Sequence, residues 1–368
     1  MLHIICRTLA VLLLVSSAAF GQTDYAGLKI FGYFQASLGF EEELQTQRQQ
    51  NSFTLQQLNL FLQRDLTQSW TAFINMEFVN SYSSLLNWGA FSLEEAWINY
   101  RGSDQFKLKL GLLTPAFNNL NEIKNRTPLL PYIIRPLVYE SSLREVFVVE
   151  DFAPARAFVQ AYGFIPAGTA KFDYAAYLGN SPNINSDNSG SYGPTGLDTS
   201  RTFLFGSRVG MRYGFFKAGL SSTLDKEDLS PLADTLKVPE RELHSILRTR
   251  LGGDLSYHDT EWLIEAEFIS VYYDFDRPQF NFDLRFLYGT LGYHFSERFF
   301  AYGSYWFAHG NYLPIGDESL KVPTFGVTYT LNDMIILKAQ MAQVHAQRSN
   351  PAEKSKSAYT YLAISVVF

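Results

Sequence analysis

Arg248 and Arg250 stand two residues apart, as do Lys107 and Lys109, while Arg208 and Arg212 stand four apart. A spacing of two gathers side chains on one face of a β-strand and splits them across a helix. Rows of fixed cations facing water do electrostatic chemistry: they attract anions and filter what passes. Glu265 and Glu267 share the two-residue spacing on the segment expected to lie beside Arg248 and Arg250, so the same arginines could instead brace a wall. Bond-making chemistry has little support. His244, His258, His294, His309 and His345 fall in or near turns and loops and show no nucleophile–base spacing. No GxSxG, HExxH or glycine-rich phosphate loop occurs. No catalytic residue, cofactor or metal ligand is expected, and the chain is read as a non-enzyme.

Those charged rows need long strands to carry them. Segments of about ten residues with period-2 alternation recur along the chain. Ile30-Gly32-Phe34-Ala36-Leu38-Phe40 alternates with Tyr33, Gln35 and Ser37, and Trp70-Ala72-Ile74-Met76-Phe78 with Thr71, Asn75 and Glu77. Sixteen such segments can be counted, the last being Leu362-Ile364-Val366-Phe368; Phe282 to Phe295 shows no clear facing. Ten residues suffice for a tilted strand to cross a bilayer. Aromatic content is 16% while mean hydropathy is −0.08, the mixture expected when apolar and polar faces alternate. The sequence pI of about 5.6 argues against a nucleic-acid partner.

The connections alternate. Long ones are expected near 41–51, 80–91, 113–154, 180–201, 222–246, 272–281, 308–321 and 344–357, and tight ones near Asp65–Ser69, Arg101–Gln105, Pro166–Gly168, Tyr213–Gly214, His258–Thr260, Phe295–Glu297 and Leu331–Asp333. Long outer loops and short inner turns are the outer-membrane arrangement. Trp70, Trp262, Phe299, Tyr100, Tyr213, Tyr257 and Phe295 flank the tight turns, as an interfacial aromatic girdle would. An open sheet edge in lipid strands backbone amides, so closure is required. The expectation is an all-β, antiparallel, up-and-down transmembrane barrel of about sixteen strands with an aqueous lumen. Residues 1–21 read as a signal peptide, with Arg7, the apolar run Leu9–Val15 and small residues before Gln22; residues 22–368 form one barrel domain. The only cysteine, Cys6, lies in that leader. Location in the outer membrane of a Gram-negative-type bacterium follows.

Residues 113–154 form the longest connection and carry the apolar stretch Leu129-Leu130-Pro131-Tyr132-Ile133-Ile134. An outer loop has no reason to be so apolar, so it is expected to fold inward as a constriction, bringing Arg126, Arg135, Glu140 and Arg144 near the pore; packing over the barrel mouth is the alternative. Inward-facing basic residues are Lys107, Lys109, Arg156, Lys171, Arg208, Arg212, Lys217, Arg248, Arg250 and Lys338, against Glu77, Glu95, Asp173, Asp254, Glu265 and Glu267. That excess predicts a weak anion preference, and replacing Arg248 and Arg250 by alanine is expected to weaken it.

The stretch 250–268, RLGGDLSYHDTEWLIEAEF, resembles a hairpin of the phosphate-selective porin O/P-like family. The stretch 361–368, YLAISVVF, is similar to the terminal strand that outer-membrane proteins present to the barrel assembly machinery through a final Phe, here Phe368. The resemblance implies a homotrimeric, sixteen-stranded diffusion channel surrounded by outer-membrane lipid. It also implies an arginine ladder, for which Arg208, Arg212, Arg248 and Arg250 are candidates, and a lysine cluster in the constriction loop. Lys124 is the only lysine in 113–154, so the cluster is missing. A passive pore for small anionic or neutral solutes is the first reading. A non-conducting structural or adhesion barrel and an outer-membrane barrel enzyme are the others.

Overall fold

The computed structural model describes residues 27–44, 48–83, 87–139, 152–154, 156–180, 202–230, 233–236, 238–312, 316–349 and 352–368. Sixteen strands run in chain order: β1 (Leu28–Glu43), β2 (Arg48–Asp65), β3 (Trp70–Ser83), β4 (Asn87–Arg101), β5 (Lys107–Leu113), β6 (Ala157–Ala167), β7 (Ala170–Asn180), β8 (Phe203–Tyr213), β9 (Phe216–Glu227), β10 (Ile246–His258), β11 (Trp262–Asp274), β12 (Phe282–His294), β13 (Phe299–Tyr312), β14 (Gly316–Asn332), β15 (Ile335–Ser349) and β16 (Ala352–Val367). Each pairs antiparallel with its sequence neighbours, and β16 returns to β1, so the sheet is a closed barrel. Beyond the end of β16, Phe368 exchanges both backbone hydrogen bonds with Gly32. No edge is left open, which removes the unpaired amides that an apolar surrounding would penalise.

The expected alternation holds on the outer wall. Leu220 is 67% exposed, Val209 59% and Leu251 55%, while the intervening Ser221, Arg208 and Arg250 are buried on the lumen side. At the tight-turn end Trp70 meets Tyr100 with ring centroids 5.1 Å apart, and Trp262 meets Tyr293 at 4.7 Å. Among the described residues no helix is long and apolar enough to cross a membrane.

Two expectations need correction. All the strands except the seven-residue β5 are longer than ten residues: β1 and β2, β3 and β4, β13 and β14, and β15 and β16 extend into the regions read as long loops. In β1 and β2, for example, the polar residues Glu41–Glu43 and Arg48–Ser52 keep the alternation going without an apolar face to reveal it. Likewise β9 runs to Glu227, so Asp225 and Glu227 are wall residues and not loop residues. The facing of Phe282–Phe295 is also resolved: Phe282, Leu284, Phe286 and Tyr288 point into the barrel while Leu287 and Leu291 point out. Apolar residues stand on both faces because something apolar fills the lumen beside them.

Candidate functional site

What fills it is the described part of the chain between β5 and β6, residues 114–139 and 152–154. The chain leaves β5 just after Gly111, whose φ is +121°; a Cβ there would lie 2.3 Å from the Ala96 carbonyl oxygen. Asn118 follows at φ +51°, a left-handed conformation that asparagine tolerates better than most residues. Two 3₁₀ segments, Asn121–Leu129 and Leu137–Tyr139, then cross the lumen. The Asn121 side-chain amide donates to the carbonyls of Pro115 (2.9 Å) and Pro154 (3.2 Å), joining the outgoing and returning arms.

Several wall side chains hold this loop, three of them through more than one bond each. On β11, Glu267 accepts from the backbone N–H groups of Asn119 (2.9 Å) and Leu120 (2.7 Å) and from the Tyr139 hydroxyl (2.7 Å). On β15, the Gln340 side-chain oxygen accepts from Ile133 and Ile134 N–H (2.6 and 2.8 Å), and its amide donates back to the Ile134 carbonyl (3.0 Å). Also on β15, the Lys338 ammonium donates to the carbonyls of Thr127, Pro128, Leu130 and Tyr132, at 2.6–3.2 Å, and to Gln35 Oε1 at 3.0 Å. The Tyr132 hydroxyl reaches Thr290 (2.8 Å) and Glu265 (3.2 Å). Burial pushes the Tyr132 and Tyr139 phenols well above their ordinary range, so both remain donors. Phe117, Leu120, Ile133, Ile134, Val138 and Phe152 pack against Ile269, Val271, Phe286, Tyr288 and Trp306 of the wall.

The loop therefore divides the lumen. Its apolar side seals against β11–β16. Its polar side, carrying Asn118, Asn119 and Glu122, faces β5–β9 across a cavity of about 330 Å³. Five basic side chains line that cavity, Lys107, Lys171, Arg208, Arg212 and Lys217, against two acidic ones, Glu122 and Asp173. Asp173 is shared between Arg208 (2.6 Å) and Arg212 (3.3 Å), and Arg208 also pairs with Asp254 (2.7 Å). Lys217 bonds the neutral side-chain oxygen of Asn119. Lys171 lies over the Phe164 ring at 5.5 Å.

The sequence-predicted residues separate into groups. Lys107, Arg208, Arg212 and Lys217 come together on the cavity wall. Lys109 stands beside them over Trp97 (5.0 Å) and Tyr162 (5.3 Å), 3.9 Å from Glu122. Arg156 pairs with Glu94 at 2.9 Å. Glu94 reaches the lumen because a bulge in the β3–β4 pairing adds a residue there, a departure from strict alternation that hid it in the sequence.

Arg248 and Arg250 are a correction. Each is 1% exposed. Their acidic partners are not Glu265 and Glu267 but Asp225 and Glu227 on the other neighbouring strand: Arg248 holds Asp225 (2.6 Å) and Glu227, and Arg250 holds Asp225 (3.1 Å). Register explains it, since Arg248 lies opposite Asp225 on β9 and opposite Tyr273 on β11. Glu265 and Glu267 bind the loop instead. In the constriction loop, Arg126 is exposed and Arg135 half-buried; Glu140 and Arg144 lie outside the described residues. With Glu94, Asp225 and Glu227 added, the sequence-derived excess of four inward cations shrinks to ten against nine, and the Glu318–Arg348 pair adds one of each. The imbalance is thus local to the cavity. Among the described residues no group of three His, Cys, Asp or Glu could hold a metal ion.

No protein-family model matches the sequence, and no curated protein matches it. Solved structures do. The outer-membrane channel DcaP of Acinetobacter baumannii superposes with a TM-score of 0.63 at 12% identity, covering 95% of this chain and 99% of that one. The anion-selective porin from Comamonas acidovorans gives 0.61 at 11% identity, covering 93% and 99%. OmpT, an outer-membrane protein of Vibrio cholerae, gives 0.58 at 10% identity, covering 93% and 97%. The fold is that of the sixteen-stranded porin barrels. At these identities the likeness is one of fold.

Proposed function

We propose that this chain is an outer-membrane channel for passive diffusion of small hydrophilic solutes, with a preference for anions. The observation that carries the reading is the cavity between the inserted loop and β5–β9, with its five cations and two acids. A water-filled path bounded by low-dielectric walls focuses such fields, so a small local excess of charge biases the traffic. Two of the similar barrels are described as a channel and as an anion-selective porin, which supports the reading. In keeping with it, residues 1–21 direct export and are removed, Phe368 presents the last strand to the assembly machinery, and outer-membrane lipid surrounds the wall. One similar structure is described as a trimer form, which favours a homotrimer. Phosphate selectivity is not part of the proposal, because the loop has a single lysine and two of the four ladder arginines are sealed into ion pairs.

Reconstituted in a planar bilayer under a KCl gradient, the protein is expected to conduct, with a reversal potential of the sign for chloride over potassium. Lys217→Glu together with Lys171→Glu is expected to lower the anion-to-cation permeability ratio several-fold and bring it below one. A ratio unmoved by that pair would place the ion path elsewhere. Absence of any conductance would favour the second reading, a plugged structural barrel, for which the sealed apolar half of the lumen is the supporting observation.

A further inference from the structure

The outer wall carries a basic patch that the channel reading does not use. Lys321 on β14, His345 on β15 and Lys356 on β16 lie directly opposite one another in the register. Their parity is that of the outward residues Phe325, Met341 and Leu362, so all three point away from the lumen. Neighbouring strands are about 4.8 Å apart, so the row spans roughly 10 Å. One step further up, Lys354 shares this face. Together with Tyr305 and Pro323 these residues line a depression of about 380 Å³.

Height decides what the patch meets. Lys321, His345 and Lys356 stand ten or eleven residues from the tight-turn end of their strands, at Asn332, Ile335 and Val367. Ten residues cover about 34 Å of strand, or about 25 Å along the barrel axis at a tilt near 40°, which is the height of the apolar band of such barrels. The residues below are apolar, among them Phe325, Tyr329, Met341, Leu362 and Ile364. Phe307 pairs directly with Lys321 in the register, and Tyr305 with Pro323, so aromatic rings mark the same boundary. Among the described residues neither Lys321 nor Lys356 makes an ion pair. The charged groups around them are Glu42 on β1, Asp317 on β14, His309 on β13, and Arg285 on β12, which is already paired with Asp283 at 2.7 Å.

We propose that the outer wall of β14–β16 binds the phosphate group of a lipid in the leaflet away from the chain termini. Lys321, Lys354 and Lys356 grip the phosphate, and the acyl chains lie on Phe307, Phe325 and Met341. Cations at a hydrocarbon boundary attract anionic headgroups, and three of them around one depression with an apolar floor match a phosphorylated lipid better than a free anion. The proposal rests on the membrane placement of the barrel, which the experiment tests separately.

The test is native mass spectrometry of the detergent-purified full chain titrated with lipid A, a bis-phosphorylated, polyacylated glucosamine lipid, and with its fully dephosphorylated form. Inorganic phosphate is the competitor. The wild type is expected to retain the phosphorylated lipid at least ten-fold more tightly than the dephosphorylated one, and millimolar phosphate should not displace it. Lys321→Gln with Lys354→Gln and Lys356→Gln should abolish the difference, while the lumen variant Lys171→Glu keeps it. Equal retention of both lipids by the wild type, unchanged discrimination in the triple variant, or saturable phosphate binding without lipid preference would each overturn the site. A chain that stays monodisperse without detergent and takes up neither lipid would overturn the membrane reading itself.

Discussion

Lys338→Ala is expected to raise single-channel conductance at least two-fold and make the open current noisier. The Lys338 side chain is buried beneath the inserted loop, and four of its five acceptors are backbone carbonyls of residues 127–132. Backbone carbonyls here have no strand to pair with, so the ammonium does for them what a neighbouring strand does elsewhere. Removing it leaves several buried acceptors without a donor at once. A hydrogen bond to a charged group contributes about 1.5–3 kcal/mol net, so the seat of this segment should weaken by several kcal/mol even after water replaces some contacts. The barrel should survive, because its own ladders are untouched. Gln340→Ala should act in the same direction but less, since it frees only Ile133 and Ile134. Bilayer recordings of the two variants check the order. Wild-type conductance in both would mean that the loop does not limit the ion path.

The inward loop was foreshadowed by one sequence feature, the apolar run 129–134, whereas its docking partners were not legible. Lys338 reads as an ordinary lumen cation, and Glu265 and Glu267 as partners for arginines, because nothing local records which wall a loop will reach. The hairpin turn holds more information than the alternation alone uses. Counting outward from the turn after His258 pairs Tyr257 with Ile264 and therefore Arg250 with Val271, which separates Arg250 from Glu267. Period-2 reading succeeded wherever a strand meets water on one side and an apolar medium on the other, as at Val209 and Arg208. It failed on β12, where Phe286 and Tyr288 face the loop and Leu287 faces outward. It also failed at the end of β9, where the outward face turns from Leu224 to Lys226 and Asp225 and Glu227 face inward, so that the strand resembles a loop.

That failure matters for charge. In the proposed channel, selectivity would depend on which cations remain uncompensated along the ion path, and two arginines that look like the best of them are matched within their own wall. Lys217 and Lys171, less conspicuous in sequence, meet a neutral amide and an aromatic ring. The field therefore concentrates at β5–β9, and the inserted loop keeps that field close to any passing ion by excluding water from the opposite half.

Asp225→Asn is expected to destabilise the barrel by about 3–5 kcal/mol, the usual cost of breaking a buried ion pair from one side. Asp225 receives Arg248 through both Nε (3.1 Å) and Nη2 (2.6 Å), and Arg250 through Nη1 (3.1 Å). Glu227 takes Arg248 and the Tyr273 hydroxyl (3.0 Å), so the two acids and two arginines balance. Neutralising Asp225 leaves one excess positive charge with almost no access to water. Replacing the cluster entirely, with Arg248→Met, Arg250→Met, Asp225→Leu and Glu227→Leu, should be close to neutral, because no charge is left unmatched. Urea unfolding from lipid vesicles measures both. The ion selectivity of the fourfold variant should equal that of the wild type, since the cluster carries no net charge and does not line the cavity. A shift of its reversal potential toward cations would return Arg248 and Arg250 to the ion path and remove β5–β9 as the sole source of anion preference.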